Sequence, residues 1–359
     1  MGLPSINIEF KSVGISAIER GERGIVAIIL DDSTALGLHE LVSLEDIPAG
    51  LKEDNIDYLK KAMIGYVRPP KMIKAYIANL SSGANTLAEV LGALELVNFD
   101  YLVMPEADDF TRTDTDDLFL QIKTWRDNMG KKVKAVLANK AADYEGIINF
   151  TTEDIQVGGK TYTAKQYTPR IAGLLAGTPL QISATFAPLP EVDNVPSYTK
   201  SELDSKIDAG EFVIFHDGEK VKVGRAINSL ITTNQDKPAD WQKCKIVDIL
   251  DLWYTDIVRT AEDNYIGKYA NSYDNKLLLV MAITGYNEQL ELDNILAKDQ
   301  NSVFVDVEVQ RAYLLSKGTD VAGMTEQEIK EAETDDKVFL GAVLKPLDAI
   351  EDITMRVFI

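Results

Sequence analysis

The first half of the chain alternates apolar runs of strand length with longer segments that have helical spacing. The predicted strands are Ile25–Leu30, Met72–Leu80, Tyr101–Met104 and Val133–Ala138, and the predicted helices are Asp54–Tyr66, Thr86–Val97 and Thr115–Met129. Asn85 and Asp114 are the predicted N-caps of the last two helices. Because strands covered by helices on both faces are almost entirely apolar, this pattern predicts an α/β architecture with a largely parallel sheet.

The pattern changes after residue 146 and again after Pro238. Short strands over 147–150 and 155–162 surround a Gly158-Gly159 turn, and Thr168-Pro169 is predicted to open a helix that ends at Ala176. Further along, the spacing predicts two long helices, Trp241–Asp263 and Asn275–Lys298, then an acidic helix beginning at Thr325 and a strand Phe339–Leu344. In the first long helix Asp251, Asp256 and Glu262 are assigned away from the apolar face. The chain therefore divides into an N-terminal arm (1–23), a small module (24–70), an α/β domain (71–236), an α+β domain rich in helix (237–350) and a C-terminal arm (351–359).

Both ends of the chain have the alternation of a half-buried strand. Apolar side chains at the N-terminus are Ile6, Ile8 and Phe10, and those at the C-terminus are Ile353, Met355, Val357 and Ile359. A strand needs a sheet to satisfy its backbone groups, so two readings remain open: each end pairs within its own subunit, or it is an arm that pairs with a neighbour. In the second reading Gly14, Gly21 and Gly24 are the predicted hinge.

Composition removes several classes of function. The chain has 37 Lys and Arg against 57 Asp and Glu, a net charge of −20, which repels phosphate backbones and anionic lipid. We therefore expect neither a nucleic-acid partner nor a membrane partner. One cysteine, Cys244, and two histidines, His39 and His216, predict no metal and no cofactor. The start of the chain has no secretion signal, so the product is expected to begin in the cytoplasm.

Catalytic patterns are weak throughout. Gly158-Gly159-Lys160-Thr161 lacks the first glycine of a phosphate-binding loop, since Asp154 stands there, and it is interpreted as a hairpin turn. His216-Asp217 has no serine in a nucleophile elbow. The turn Ser81–Asn85, between a strand and a helix, is a possible anion site and keeps open an alternative function, a cytosolic α/β enzyme that binds a nucleotide or metabolite.

Five segments together resemble the contractile tail sheath proteins of PBSX-like prophages and R-type bacteriocins. The segments are GLPSINIEFK…ERGERGIVAIIL, GIINFTTEDIQVGGKTY, YTPRIAGLLAGTPLQIS, KIVDILDLWYTDI…DNYIGKYANSYDNKLLL and KVFLGAVLKPLDAIEDITMRVFI, in that order and over nearly the whole chain. The resemblance implies a structural protein, not an enzyme, which stacks as six-subunit rings around an inner tube and shortens when a baseplate triggers it.

The same resemblance implies further properties. Terminal extensions in this family donate strands to neighbouring subunits, and by position these are residues 5–11 and 353–359, the strands that the alternation had already indicated. It also implies a subtilisin-like topology for the α/β domain, and tail tube, baseplate and tail terminator proteins as partners. Assembly is then expected in the cytoplasm of a bacterial host, with the protein later part of a phage tail or bacteriocin particle.

Overall fold

The computed structural model describes residues 17–107 and 113–358 as two compact units. The sheet unit contains Gly21–Thr255 and residues 346–358, and the helical unit contains residues 17–20 and Asp256–Lys345. The predictions for Ile6, Ile8, Phe10, Gly14 and Ile359 lie outside the described residues.

The secondary structure of the sheet unit follows the predicted alternation. Its strands are β1 (Ile25–Asp31), β2 (Gly37–Leu41), β3 (Met72–Ala78), β4 (Tyr101–Val103), β5 (Lys134–Ala138), β6 (Ile147–Phe150), β7 (Ile155–Val157), β8 (Lys160–Tyr162), β9 (Glu211–Phe212), β10 (Ile214–His216) and β11 (Val221–Val223). Its helices are α1 (Glu53–Ile64), α2 (Leu87–Leu94), α3 (Asp114–Asp127), α4 (Ala164–Ala176), α5 (Lys200–Asp208) and the first part of α6 (Cys244–Asn264), with 3-10 turns at Leu44–Asp46 and Ala239–Gln242.

The central sheet has the order β2-β3-β1-β4-β5-β6-β9 within the described residues. All pairs are parallel except β2 with β3, so β2 is an antiparallel edge strand. Every residue of β1 is buried. Val26, Ile28 and Leu30 enter the core formed with α1 and α4, whereas Ile25, Ala27 and Ile29 enter the core formed with α2 and α3. The predicted parallel sheet with helices on both faces is therefore confirmed.

Helices α1 and α4 approach so closely that one glycine decides their packing. A Cβ atom at Gly173 in α4 would lie 1.9 Å from the carbonyl oxygen of Ala62 in α1. The distance is far below van der Waals contact, and the opposing atom is backbone that cannot rotate away. Gly173 therefore sets the distance between these two helices.

We expect Gly173→Ala to lower the free energy of unfolding by about 3 kcal/mol, because the added methyl group forces the helices apart. Gly92→Ala in α2 is the matched control: a Cβ there meets no atom within 4 Å, so better helix propensity should raise stability by up to about 1 kcal/mol. Urea denaturation followed by circular dichroism measures both. Equal effects of the two substitutions would show that Gly173 does not set the spacing.

Several predicted boundaries were wrong. Residues 24–70 are not a separate module, because β1 lies in the middle of the central sheet and β2 pairs with β3. Residues 147–150 form β6 of the same sheet and do not belong to the β7–β8 hairpin. Compact units divide at Thr255/Asp256, inside α6, and not at 236/237. The N-caps are Thr86, with a capping box, and Thr113, and not Asn85 and Asp114.

Helix α4 begins earlier than its proline indicated. Its N-cap is Thr163, with Gln166 completing a capping box, so Pro169 lies inside the helix. Proline removes the N–H that would bond to the carbonyl of Lys165. The Thr168 hydroxyl donates to that carbonyl instead, at 2.8 Å. A threonine beside the proline thus compensates for the missing backbone bond.

The helical unit contains the rest of α6 and five further elements of regular structure among the described residues. These are α7 (Tyr273–Leu292), β12 (Ser302–Val305), α8 (Val307–Ser316), α9 (Glu326–Glu331) and β13 (Leu340–Val343). Strands β12 and β13 pair antiparallel, and Leu314, Val321 and Ile329 form a small core under α8 and α9. The predicted capping box of the acidic helix is confirmed, with Thr325 as N-cap and Glu328 as its partner.

No helix of the described chain is long and apolar enough to cross a membrane. In the same residues no group of three or more His, Cys, Asp and Glu side chains is arranged to hold a metal ion.

Candidate functional site

The C-terminal segment carries its apolar side chains in solvent. Residues 351–358 form neither helix nor strand within the single chain. The side chains of Ile353, Met355 and Val357 are 78%, 78% and 74% exposed. Pairing of this segment within its own subunit is therefore not observed in the described residues, and the alternating apolar positions are left uncovered.

Immediately before this exposed segment, the chain is fixed to the sheet unit by polar contacts. The carboxylate of Glu351, with only 10% of its side chain exposed, accepts hydrogen bonds from Ser183 at 3.0 Å and Thr185 at 2.6 Å. The Thr185 hydroxyl in turn accepts the N–H of Ala226 at 3.0 Å. Arg225 lies 3.6 Å from the second oxygen of Glu351.

Two further ion pairs extend this attachment. Arg225 donates to both carboxylate oxygens of Asp352 at 2.5 Å, which lowers the pKa of that carboxyl, and Lys243 pairs with Asp348. We call the whole set the C-terminal anchor: Ser183, Thr185, Arg225 and Lys243 on the sheet unit with Asp348, Glu351 and Asp352 on the segment. The last residue of the anchor, Asp352, directly precedes the alternating exposed residues Ile353, Met355 and Val357.

At the other end, the first described residues lie against the helical unit. Ile18 is buried, Arg20 pairs with Asp293 at 3.1 Å, and Arg259 donates to the carbonyl oxygen of Glu19 at 2.8 Å. The predicted arm over residues 1–23 therefore has a docked portion at residues 18–20.

Gly24, one of the three predicted hinge residues, is held at the start of β1. Its N–H donates to the carboxylate of Asp100 at 2.7 Å, and its carbonyl accepts from Lys71 at 2.7 Å. Its φ of +95° favours glycine, and a Cβ there would lie 3.0 Å from the carbonyl oxygen of Ala176. The glycine is thus needed for close packing. Gly21 is described without a strand or helix, and its role as hinge stays a prediction.

A buried charge cluster, which the sequence did not indicate, lies beneath the first part of α6. Its members are Arg23, Asp100, Arg126, Lys134, Glu145, Asp248 and Asp251. Lys134 lies 3.0 Å from Asp248 and 2.8 Å from Asp251, and Arg126 donates to both oxygens of Asp251 at 2.8 and 3.0 Å. Each buried ion therefore has at least one opposite charge beside it, as burial requires.

The electrostatics of the cluster follow from these pairings. Burial alone would raise the pKa of the Asp251 carboxyl, but Arg126 and Lys134 bring it below its usual value. Burial would likewise lower the pKa of the Lys134 ammonium, whereas Asp251 and Asp248 raise it. Asp251 was assigned to the polar face of its helix, and that assignment was wrong. The same holds for Asp256, which is buried and accepts from Tyr286 at 2.6 Å.

The strand pair β12–β13 has open strand edges. Only two strands are paired in it, from Ser302↔Val343 to Val305↔Leu340, so each has one edge without a partner strand in the described chain. Phe304 and Val343 are exposed, and the Phe304 ring lies over Gly341. The pair packs against α7 through β12, but its open edges leave backbone groups that a further strand could bond.

The remaining candidate residues have ordinary structural partners. The N–H groups of Leu80 and Ser81, at the start of the possible anion site, donate to the carboxylate of Asp31 at 2.8 and 3.1 Å. His216 accepts from the N–H of Gly218, and Asp217 pairs with Lys222. The Gly158-Gly159 turn joins β7 and β8, as predicted. These positions form no catalytic arrangement in the described residues.

Comparison with known proteins identifies the family. The model of the phage tail sheath protein central domain matches residues 81–229, and that of the phage tail sheath C-terminal domain matches residues 236–359. The tail sheath protein of Clostridium phage phiCD119 is 40% identical over 359 residues, which cover 99% of both chains. The chain belongs to the phage tail sheath protein family.

Two further relatives place this sheath protein more widely. It is 30% identical to the phage-like element PBSX protein XkdK of Bacillus subtilis, over 62% of this chain and 52% of that one. The cryo-EM structure of the PVC sheath complex, an extracellular contractile injection system in its contracted state, shares the fold with a TM-score of 0.67 at 12% identity. That match covers 100% of this chain and 98% of the other.

These findings settle the class of the protein. It is a structural phage tail sheath protein and not an enzyme. The two family models meet between residues 229 and 236, close to the predicted boundary at 236/237, although the compact units divide later.

Proposed function

We propose that this sheath protein polymerises as stacked rings of six subunits around an inner tube, and that it contracts to drive the tube through a target cell envelope. One observation supports the proposal most strongly: the C-terminal strand sequence leaves its own subunit with its apolar side chains uncovered. Uncovered alternating residues of this kind are completed by adding a strand to a sheet of another molecule.

The strand pair β12–β13 is the acceptor that we propose. Its two open edges match the two arms that each subunit would receive, one N-terminal and one C-terminal, from its neighbours. Four strands with a shared apolar face would bury more apolar surface than two. Phe304 and Val343, now exposed, would be covered by Ile353, Met355, Val357 and Ile359 or by Ile6, Ile8 and Phe10 of the donated strands.

Such links are individually modest and collectively durable. A seven-residue strand makes about five to seven backbone hydrogen bonds, each contributing about 0.5–1.5 kcal/mol net. Because each subunit would give two strands and receive two, release requires several links to break together. The folded units would then move as rigid bodies between an extended and a contracted packing, with the hinge at Gly14 and Gly21, ahead of the fixed Gly24.

The proposed partners follow from this role: further copies of the chain, a tail tube protein, and baseplate and tail terminator proteins. Assembly would occur in the cytoplasm of the bacterial host, before release of the phage tail or bacteriocin particle. The net charge of −20 argues against nucleic acid and membrane surfaces as partners. A subtilisin-like topology of the α/β domain stays a prediction from the resemblance.

The competing enzyme function loses its main support in this structure, because most amides of the possible anion site already have acceptors. The Ser81 amide donates to Asp31, and the amides of Gly83, Ala84 and Asn85 donate to Leu80, Ser82 and Asn79. A direct test separates the two functions. Negative-stain electron microscopy of the purified full chain should show rings or hollow cylinders, and nucleotides should not raise its melting temperature. A monodisperse monomer that a nucleotide stabilises would reverse the conclusion.

A further inference from the structure

The C-terminal anchor occupies a specific place in the chain, directly at the base of the proposed arm. The last contacts with the sheet unit among the described residues are those of Glu351 and Asp352, which bond to Ser183, Thr185 and Arg225. The apolar residues that follow, Ile353, Met355 and Val357, are 78%, 78% and 74% exposed. The proposed donated strand therefore begins directly after the last anchor contact.

The attachment depends on side-chain contacts at the surface and not on the core. Arg225, Lys243 and Glu351 line an open groove of about 470 Å³ rather than a sealed interior. The segment supplies three carboxylates, and the sheet unit supplies two cations and two hydroxyl groups. Because these contacts lie outside the hydrophobic cores, the segment can detach while the sheet unit stays folded.

We propose that Arg225, Ser183 and Thr185 are positioning residues for strand donation, which hold Glu351 and Asp352 and so fix the point where the arm leaves its subunit. The inference rests on the proposed donation of residues 353–359. It adds that a subunit presents its arm from a defined origin before any neighbour binds, and that this origin is set by the anchor.

The length of the free arm gives the expected size of the effect on assembly. Held at Asp352, the arm is seven residues long and reaches about 23 Å; released as far back as Pro346, it is fourteen residues and reaches about 46 Å. Doubling the reach dilutes the strand near its acceptor by about eightfold for a stiff chain and about threefold for a flexible one. Loss of the anchor should therefore raise the critical concentration of assembly by about three- to eightfold.

The test uses full-length Glu351→Lys, which places a cation against Arg225. Glu351→Gln keeps an oxygen for Ser183 and Thr185 and should behave almost as the parent chain. Glu219→Lys, the same charge change in an exposed turn, is the matched control.

A nitroxide label on Ile350→Cys reports attachment in unassembled subunits, since residue 350 is 88% exposed and the native Cys244 is buried. Sedimentation with electron microscopy measures the critical concentration.

Glu351→Lys should increase label mobility and raise the critical concentration by the stated factor, with neither change in the two control variants. Unchanged mobility, or increased mobility at an unchanged critical concentration, would overturn the positioning role. Arg225→Gln is the second variant if circular dichroism shows that Glu351→Lys is unfolded. Chains lacking residues 353–359 distinguish the two proposals. If these chains assemble normally, the proposal of strand donation is wrong. If they do not assemble but Glu351→Lys assembles normally, strand donation stands and only the role of the anchor is wrong.

Discussion

Replacing Lys134 by methionine should lower the free energy of unfolding by about 3–5 kcal/mol, a large part of the total stability of a domain. The ammonium group lies within 3.0 Å of both Asp248 and Asp251, and only 3% of the side chain is exposed. Methionine has similar length but no charge. Asp248 would keep Arg23 and Asp251 would keep Arg126, but the two carboxylates would lose the cation that lies between them. Removing one partner of a buried ionic group costs far more than the pairing itself contributes.

A matched substitution shows whether the loss of stability comes from the burial of the charge or from the loss of any lysine charge. Lys123 pairs with Asp127 one helical turn away at 3.1 Å, but the two side chains are 49% and 40% exposed. Lys123→Met should therefore change the free energy of unfolding by less than about 1 kcal/mol. Urea denaturation at low protein concentration, where subunits are unassembled, measures both variants. Losses of similar size would show that the cluster is not a special contributor to stability.

The position of this cluster explains why stability there matters for function. Asp248 and Asp251 lie on α6, which begins in the sheet unit and ends in the helical unit, and Arg23 is the last residue of the predicted N-terminal arm. Lys134 and Arg126 belong to the α/β sheet and its helix α3. Contacts among four separate elements thus fix the start of α6, and we expect them to keep the sheet unit rigid when subunits are pulled on through their ends.

Sequence reasoning located the sheet but not this cluster, and the difference has a physical cause. Strands such as β1 are apolar at every position because helices cover both faces, and that pattern is local in the sequence. Partners of a buried charge lie far apart in sequence: Arg126 and Asp251 are separated by 125 residues. A charged residue in a helix is normally solvated, so the pattern assigned Asp251 to the polar face.

The predicted boundaries of the domains and of β6 were wrong for a related reason. Nothing in residues 24–70 shows that β1 will pair with both β3 and β4, because strand pairing depends on residues up to about 75 positions away. The β6 strand was joined to the nearby hairpin on proximity alone. In contrast, capping boxes are contained in four residues, and the one at Thr325 was predicted correctly. Local rules located the helices, with N-cap errors of one residue at Thr86 and Thr113, whereas strand pairing needed the structure.

Removing residues 353–359 should abolish cylinders while leaving the fold of the single subunit intact. The apolar side chains of this segment are exposed, so their loss should change the free energy of unfolding by less than about 0.5 kcal/mol. Assembly, in our proposal, depends on the backbone hydrogen bonds and apolar burial that each donated strand supplies. A chain that gives only its N-terminal strand loses half of its links, and with them the closed network.

Two single substitutions test donation of the C-terminal strand by comparing its two faces. Met355→Asp would bury a carboxylate against the acceptor sheet and lose about 1.5–3 kcal/mol of apolar burial at every link, so no cylinders should form. Thr354→Asp makes the same carboxylate on the opposite face, where it stays in water, and should assemble. Electron microscopy and sedimentation measure assembly, and urea denaturation confirms that both variants fold equally. If Met355→Asp and the truncated chain build cylinders of normal length, donation of the C-terminal strand does not hold the sheath together. If Thr354→Asp, like Met355→Asp, fails to form cylinders, the added charge is responsible and not the face of the strand on which it lies.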